Sequence, residues 1–549
     1  MMEKVIVIRT HASSTVGIGH LARVSRLAEG LSQRGVQSLF VVDVESPLIS
    51  NYLGSFKTIG LYPDGEAFQS EAEDAARFLA AVEAYPVSAI IVDDYRFAAQ
   101  WEAAVSTVAP LCVLDDRDQV DHQCELLIDA KWSGEQTAER YVGKVPPHCQ
   151  RLLGPDYLLI DERYAAPNRA EESREAVSEA ETVTILVSLG GGGDMALLAH
   201  LLRLLLQQAA DQPALLIRPV VGPFAINPEE IIQLGESEPR VQPITHADSL
   251  YDYLESADLY IGAAGGTLFE ALALQIPSLT FSLSDNQNNR MSDLEDFGHY
   301  FHLHNLQEED FEEFLELAWL MATRIERLRN LYHQPRRIDM DGKGVERAVA
   351  ALIGVIEGEA DKREEVEVLS PRPRTPIPGY RLFRIDDRHV NRYLDARNLV
   401  TNLQKMTVQD KVEPLDHYIW WLRDNHRDSY LLERDGEPLL YIWHLKFLEN
   451  RIEVLIGGWF IYSVSCNALD VLYALNQELL ITDKECPGVP WVAVIKNSNR
   501  FVQKLNARFD FTRIDASHPL APITETCFPL AGWNEFGYYI RGEIAAEEE

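Results

Sequence analysis

Over the first 165 residues, short apolar runs alternate with stretches whose apolar positions recur every three or four residues. The runs at 4–9, 37–42, 88–93, 110–115 and 125–129 read as strands buried on both faces. After the first of them, Leu21, Val24, Leu27, Ala28 and Leu31 share one face of a predicted helix. Strands alternating with such helices predict a parallel sheet covered on both sides. Residues 168–181 are polar and charged and read as a connector. A second series follows, with strands at 183–189, 214–221, around 240–243, 258–262 and 278–282, and a helix over Met195 to Gln208. Helical segments from about 307 to 357 close it. Residues 358–379 are charged and then proline-rich, the pattern of a semi-rigid linker. Beyond them the pattern changes: Tyr430 to Ile442 reads as a strand, an Asp435-Gly436 turn and a returning strand. The chain therefore divides into 1–167, 182–357, the linker 358–379 and a unit at 380–543. The first two are expected to be doubly wound halves facing across a cleft, with ligands beyond the carboxyl ends of their strands.

Composition narrows the chemistry. A hydrophobic content of 46% over 549 residues supports packed cores in three units of ordinary size. The formal net charge of −35 argues against a nucleic-acid partner. It also means that an anionic ligand has to be held by local features such as helix N-termini, loop amides and individual arginines. Six cysteines, at 112, 124, 149, 466, 486 and 527, form no Cys-x-x-Cys pair and no zinc-like spacing, so no metal site is expected. Reduced thiols in a cytoplasmic protein are the simple expectation. The chain enters a strand at once, and no apolar run approaches the ~20 residues of a membrane span.

Three loops carry candidate chemistry. Gly17-Ile18-Gly19-His20 lies between a strand and a helix, where outward-pointing amides favour anions and an imidazole can take a proton near neutral pH. The plainer reading is a packing turn with a capping histidine. Ser188-Leu-Gly190-Gly191-Gly192-Gly193 follows a buried strand, and its glycines permit close approach of a ligand. Gly265-Gly266-Thr267, between a strand and a helix, offers a diphosphate amides, a helix N-terminus and a hydroxyl. Glu270, one turn on, can accept ribose hydroxyls or serve as a helix-dipole partner. Ser284 to Asn289, at a later strand end, is a polar cluster placed to meet a substrate.

These pieces occur together with Arg9, Ser13-Ser14, Arg23, Asp93-Asp94-Tyr95, Gly154-Pro155-Asp156-Tyr157 and Asp285-Asn286-Gln287. In that order they resemble the UDP-sugar hydrolases of pseudaminic acid biosynthesis and the related spore-coat polysaccharide proteins. The resemblance covers residues 1 to about 330. It implies two Rossmann-like lobes of the kind found in GT-B glycosyltransferases. It also implies hydrolysis of UDP-2,4-diacetamido-2,4,6-trideoxy-β-L-altropyranose to the free sugar and UDP without a cofactor, with His20 activating water beside Tyr95 and Asn286. Gly17, Gly19, Arg23, Gly190, Gly191, Gly265, Gly266, Thr267, Glu270 and Gln287 are the expected substrate-binding positions. The sequence departs from the pattern in two places: Asp94 stands where a histidine is common, and the run Gly190 to Gly193 is longer than usual. A glycosyltransferase of the same fold and a non-catalytic UDP-sugar-binding scaffold are the rival readings. Other enzymes of the same nonulosonate pathway are the partners the resemblance suggests.

Residues 380–543 resemble, less specifically, the GNAT acyltransferases, an α+β fold. His417 to Leu422, the Asp435-Gly436 hairpin, Ile456-Gly457-Gly458-Trp459-Phe460, Trp491 to Asn499 and Phe509-Asp510-Phe511 carry the likeness. The resemblance implies N-acetylation of a UDP-4-amino sugar with acetyl-CoA as cofactor and Asn499 near it. The glycine-rich diphosphate loop expected after Phe460 is absent, however, and the tyrosine acid aligns with Asn506. A degenerate binding module is therefore the competing expectation.

Overall fold

Long-range pairing of the buried apolar runs decides the architecture. The computed structural model describes residues 5–13, 16–63, 66–165, 182–208, 214–245, 247, 249–283, 287–358, 379–423 and 427–542. The chain forms two units, Met1–Pro371 and Arg372–Glu549.

In the first unit, strands β1 (Val5–Thr10), β2 (Gln37–Val42), β3 (Lys57–Gly60), β4 (Val87–Asp93), β5 (Leu111–Leu114), β6 (Leu126–Asp129) and β7 (Gln150–Leu153) form one sheet. Its order is β3-β2-β1-β4-β5-β6-β7 and every pairing is parallel. All six residues of β1 are buried, which explains its unbroken apolar character. A second parallel sheet has the order β12-β11-β10-β8-β9, built from β8 (Thr182–Ser188), β9 (Ala214–Val220), β10 (Leu259–Ala263), β11 (Ser278–Phe281) and β12 (Phe301–Leu303). The helix Met195–Gln208 falls where its periodicity places it. The expected strand around 240–243 is reduced to isolated bridges, Ile217 with Val241 and Val220 with Ile244.

One element crosses from the second lobe to the first. The helix Gly344–Glu357, expected to close the second lobe, buries Ala348, Val349 and Leu352 in the same core as Leu21, Val24, Leu27, Ala28 and Leu31. Gly30 makes the crossing possible: a Cβ there would lie 2.7 Å from Val345 Cγ1. Arg347 donates to the Asp156 carbonyl at 3.0 Å.

The second unit holds a seven-stranded sheet, β13 (Tyr380–Arg384), β14 (Arg427–Arg434), β15 (Glu437–Glu449), β16 (Ile452–Ile461), β17 (Trp491–Lys496), β18 (Thr512–Ile514) and β19 (Phe536–Arg541). The order is β13-β14-β15-β16-β17-β19-β18, antiparallel except for β16 with β17, which pair in parallel through Leu455 and Trp491. The β14–β15 turn has Asp435 at φ 54° and Gly436 at φ 83°, as a two-residue hairpin turn requires. Leu475 and Leu479 of the helix Ala468–Glu485 pack on this sheet with Leu440, Ile442 and Trp491.

Candidate functional site in the cleft of the two-lobed unit

Strand order fixes where chemistry can occur. In the first sheet β1 and β4 are neighbours whose onward connections run to opposite sides, and β8 and β10 stand likewise in the second. Loops leaving such strands part and open a crevice. The loop after β1 leads into the helix that carries His20 in its first turn, and β4 ends at Asp93. The loop after β8 carries Gly190 to Gly193, and that after β10 carries Gly265 to Thr267. All except Asp93 line one cleft of about 2270 Å³.

On the first-lobe side the chain turns after β1 through Gly17, at φ 79°, whose amide donates to the Ser13 carbonyl at 2.7 Å. The helix Gly19–Gln33 then starts at Ile18, an N-cap without a capping side chain. His20 sits in its first turn, 8% exposed. Its Nδ1 lies 2.5 Å from Asp93 Oδ1, which leaves Nε2 as the ring nitrogen for a proton in the cleft. Asp93 also accepts from Arg23 Nε at 3.0 Å and Nη2 at 2.8 Å. Burial alone would raise the Asp93 carboxyl, but Arg23 and His20 outweigh it and hold it below the usual range. Arg23 reaches on to Asp116 at 3.0 Å, and Asp116 accepts the Tyr95 hydroxyl at 2.5 Å. The Tyr95 ring meets His20 edge-on, with centroids 4.4 Å apart, and the Arg117 guanidinium lies over its face at 4.1 Å. Burial and the nearby carboxylates push the Tyr95 phenol well above its ordinary value, so it stays protonated.

Behind this group lies a second layer of charge. Arg96 clasps Asp43 at 2.7 and 2.9 Å and donates to Asp94 from Nε at 2.9 Å. The fully buried Arg9 donates to Asp74 at 2.7 Å and Asp43 at 2.5 Å. Asp94, the departure from the motif, is thus taken up by Arg96, and Arg9 holds strand ends together.

The second-lobe side is a cradle. The helix Gly266–Ala273 begins at Gly265, which offers no side chain to cap its first turn. A Cβ on Gly266 would meet open space, and one on Gly265 would come no nearer than 3.8 Å to Gln287 Nε2. Gln287 Oε1 accepts from the Leu283 amide at 2.9 Å, and Thr267 lines the same wall. Asn286 lies outside the described residues. Gly190 has φ 82°, and Gly191 touches the first lobe: a Cβ there would fall 2.6 Å from Ile18 Cγ2. Glu270, 5% exposed, forms an ion pair with Arg26 of the first lobe. His20, Tyr95, Gly17, Gly19, Arg23, Gly190, Gly191, Gly265, Gly266, Thr267, Glu270 and Gln287 all line the cleft. Asp116 and Arg26 also line it, and Asp93 and Arg117 contact its lining residues His20 and Tyr95; none of the four was assigned a role from sequence. Aspartates at strand ends and the three-residue spacing of His20, Arg23 and Arg26 are the signals that could have found them. An imidazole fixed on one wall and a bare helix N-terminus on the other are groups that could take a proton and hold an anion.

In the second unit, the turn after β16 is filled by its own side chains. Ser463 and Ser465 donate from their hydroxyls to Glu437 at 2.8 and 2.6 Å. Asn467 and Asp470 form a reciprocal cap on the helix Ala468–Glu485. Asp470 also accepts from Arg434 at 2.6 Å and Tyr380 at 2.6 Å. Asn499 caps the helix Arg500–Ala507, accepting from the Val502 amide at 3.3 Å.

No family model matches the chain. It is 22% identical over 477 residues to the uncharacterized protein MJ1062 of Methanocaldococcus jannaschii, covering 83% of this chain and 87% of that one. It is 25% identical over 361 residues to the spore coat polysaccharide biosynthesis protein SpsG of Bacillus subtilis, covering 62% and 96%. Among solved structures, the UDP-GlcNAc 2-epimerase of Neisseria meningitidis bound to UDP-GlcNAc superimposes with a TM-score of 0.42 at 13% identity, covering 64% and 99%.

Proposed function

We propose that the two-lobed unit is a nucleotide-sugar enzyme that breaks the anomeric bond of a UDP-linked sugar. The observation that carries this reading is His20, held at Nδ1 by buried Asp93 and facing the glycine-rich cradle of Gly265 to Thr267 across one cleft. In the proposed step Nε2 takes a proton from the attacking hydroxyl, the oxygen bonds to the anomeric carbon, and UDP leaves with the electron pair of the broken C–O bond. The leaving diphosphate is stabilised by the helix N-terminus and loop amides. Glu270 is assigned to the ribose hydroxyls.

Two attacking hydroxyls fit. The motifs of the first lobe favour water, and with it a 2,4-diacetamido-2,4,6-trideoxy sugar such as the L-altropyranose. The name of the Bacillus relative, which places that protein in polysaccharide synthesis, favours a glycan hydroxyl and hence glycosyl transfer on a GT-B-type fold. The second unit is read as an acyltransferase-like module whose diphosphate turn is closed by its own side chains.

The test is UDP release from the diacetamido substrate and from UDP-GlcNAc, with and without a glycan acceptor, beside His20→Ala. Release without acceptor identifies the hydrolase; release only with acceptor identifies the transferase. In either case the variant is expected to lose ~10²–10⁴-fold in rate, the usual contribution of a general base. UDP binding without turnover on any substrate would leave a binding scaffold and overturn the reading.

A further inference from the structure

Arg26 is a guanidinium of the cleft that joins both lobes through an ion pair. It lies on the helix Gly19–Gln33, three residues beyond Arg23 and six beyond His20, so the three side chains follow one side of that helix. Its Nη1 donates to the Leu159 carbonyl at 2.8 Å, and its Nη2 meets Glu270 Oε1 on the helix Gly266–Ala273. The Arg26 side chain is 28% exposed and that of Glu270 6%, so this pair is far less screened than a surface ion pair. We propose that Arg26 is a positioning residue: it aims the Glu270 carboxylate at the ribose of a bound nucleotide and ties that subsite to the helix carrying His20. The inference rests on the nucleotide reading above, and adds that ribose recognition is built from both lobes.

The surroundings of Glu270 explain why an arginine is needed. Asp161 and Tyr164 face it from the segment that follows β7, Tyr260 from β10 and Tyr52 from the helix Pro47–Leu53, with Glu29 one turn beyond Arg26. Arg26 is the cation among them. Burial pushes the Glu270 carboxyl up, Arg26 opposes this, and Asp161 adds to the rise. Without Arg26 the carboxyl would be neutral over a wider pH range and would accept hydroxyl hydrogen bonds more weakly. Because Arg26 shares a rigid helix with His20, a ribose held by Glu270 also fixes the base against the sugar. A substitution here is therefore expected to lower turnover as well as affinity.

The experiment is calorimetric titration of the full chain with UDP and with 2′-deoxy-UDP between pH 6 and pH 9. The wild type is expected to prefer UDP by roughly tenfold, the worth of one hydrogen bond to a charged group. In Arg26→Gln most of that preference disappears, and the loss is greater at the acid end of the range than at the alkaline end, because burial then raises the Glu270 carboxyl without the arginine to oppose it. Arg26→Lys keeps the wild-type dependence of the preference on pH, because the charge remains. It is expected to lose about threefold of the preference, because the fork is gone. If Arg26→Gln does not fold, Arg26→Lys decides alone, and an undiminished preference in it overturns the proposal. Retention of both the preference and its wild-type dependence on pH in folded Arg26→Gln overturns it as well. A wild type that binds UDP without sensing the 2′-hydroxyl overturns the Arg26–Glu270 assignment and leaves the nucleotide reading standing. A wild type that binds no UDP overturns both.

Discussion

His20 can act in one direction only, because Asp93 claims one of its two nitrogens. The same economy recurs one layer back at His122. Its Nδ1 lies 2.7 Å from Glu102 Oε1 and its Nε2 3.5 Å from Asp115 Oδ2, with both carboxylates buried. Burial alone would lower the His122 pKa, but the two carboxylates raise it to about 9. Asp115 accepts from Arg117, which covers Tyr95, so this charge supports the wall of the cleft. A histidine raised in the folded state from its ordinary 6.5 stabilises fully below that value and loses its contribution as the pH climbs through 9. Wild-type stability is thus expected to fall by on the order of 2–3 kcal/mol between pH 6 and pH 10 from this group. His122→Asn, destabilised throughout, should lack that slope in urea melts at pH 6, 8 and 10; parallel slopes would remove His122 as the cause. From sequence, His20, Arg23 and Tyr95 were legible because each sits in a local motif. Asp116, Arg117 and His122 were not, since isolated polar residues acquire meaning only when β4 and β5 pair.

Secondary structure was legible where burial is complete and obscure where it is partial. β1 and the helix Met195–Gln208 carry strong apolar periodicity, whereas β3, with exposed ends at Lys57 and Gly60, carries almost none. The helix Gly344–Glu357 shows a different limit. Its helical character was expected from the sequence, but periodicity says nothing about which lobe receives its apolar face. The structure gives it to the first lobe, where Leu352 is 2% exposed against the His20 helix and its neighbours. His20 therefore stands on a helix whose back is packed by a segment that has already passed through the second lobe. Leu352→Ala is expected to cost ~2–5 kcal/mol, as buried leucine truncations do. The measurement is chemical denaturation of the full chain followed by tryptophan fluorescence. A cost below about 1 kcal/mol would show that this helix does not hold the first lobe together.

Charge sets the problem at the scale of the whole molecule: with a formal net charge of −35, each anion site has to be built against the prevailing field. The cleft offers an anion a bare helix N-terminus at Gly265, while Arg23 and Arg26 on its walls are paired with Asp93, Asp116 and Glu270. The second unit does the reverse at the corresponding place. After β16 the Tyr462 and Ser463 amides donate to the Leu439 carbonyl, the Ser465 amide to Ser463 Oγ, and the Asn467 amide to Asp470 at 2.7 Å. Amides that would face a diphosphate are thus spent within the turn, and the Glu437 and Asp470 carboxylates lie beside them. Arg434 is directed onto Asp470, which leaves it poorly placed for a ligand phosphate. Acetyl-CoA is therefore expected not to bind the full chain at up to millimolar concentration in calorimetry, and Asn499, committed to its own helix, is expected to tolerate Ala without any effect on UDP release. Saturable binding below about 100 μM, or acetyl transfer to a UDP-4-amino sugar, would mean that the turn opens for its ligand and that the module is an active transferase.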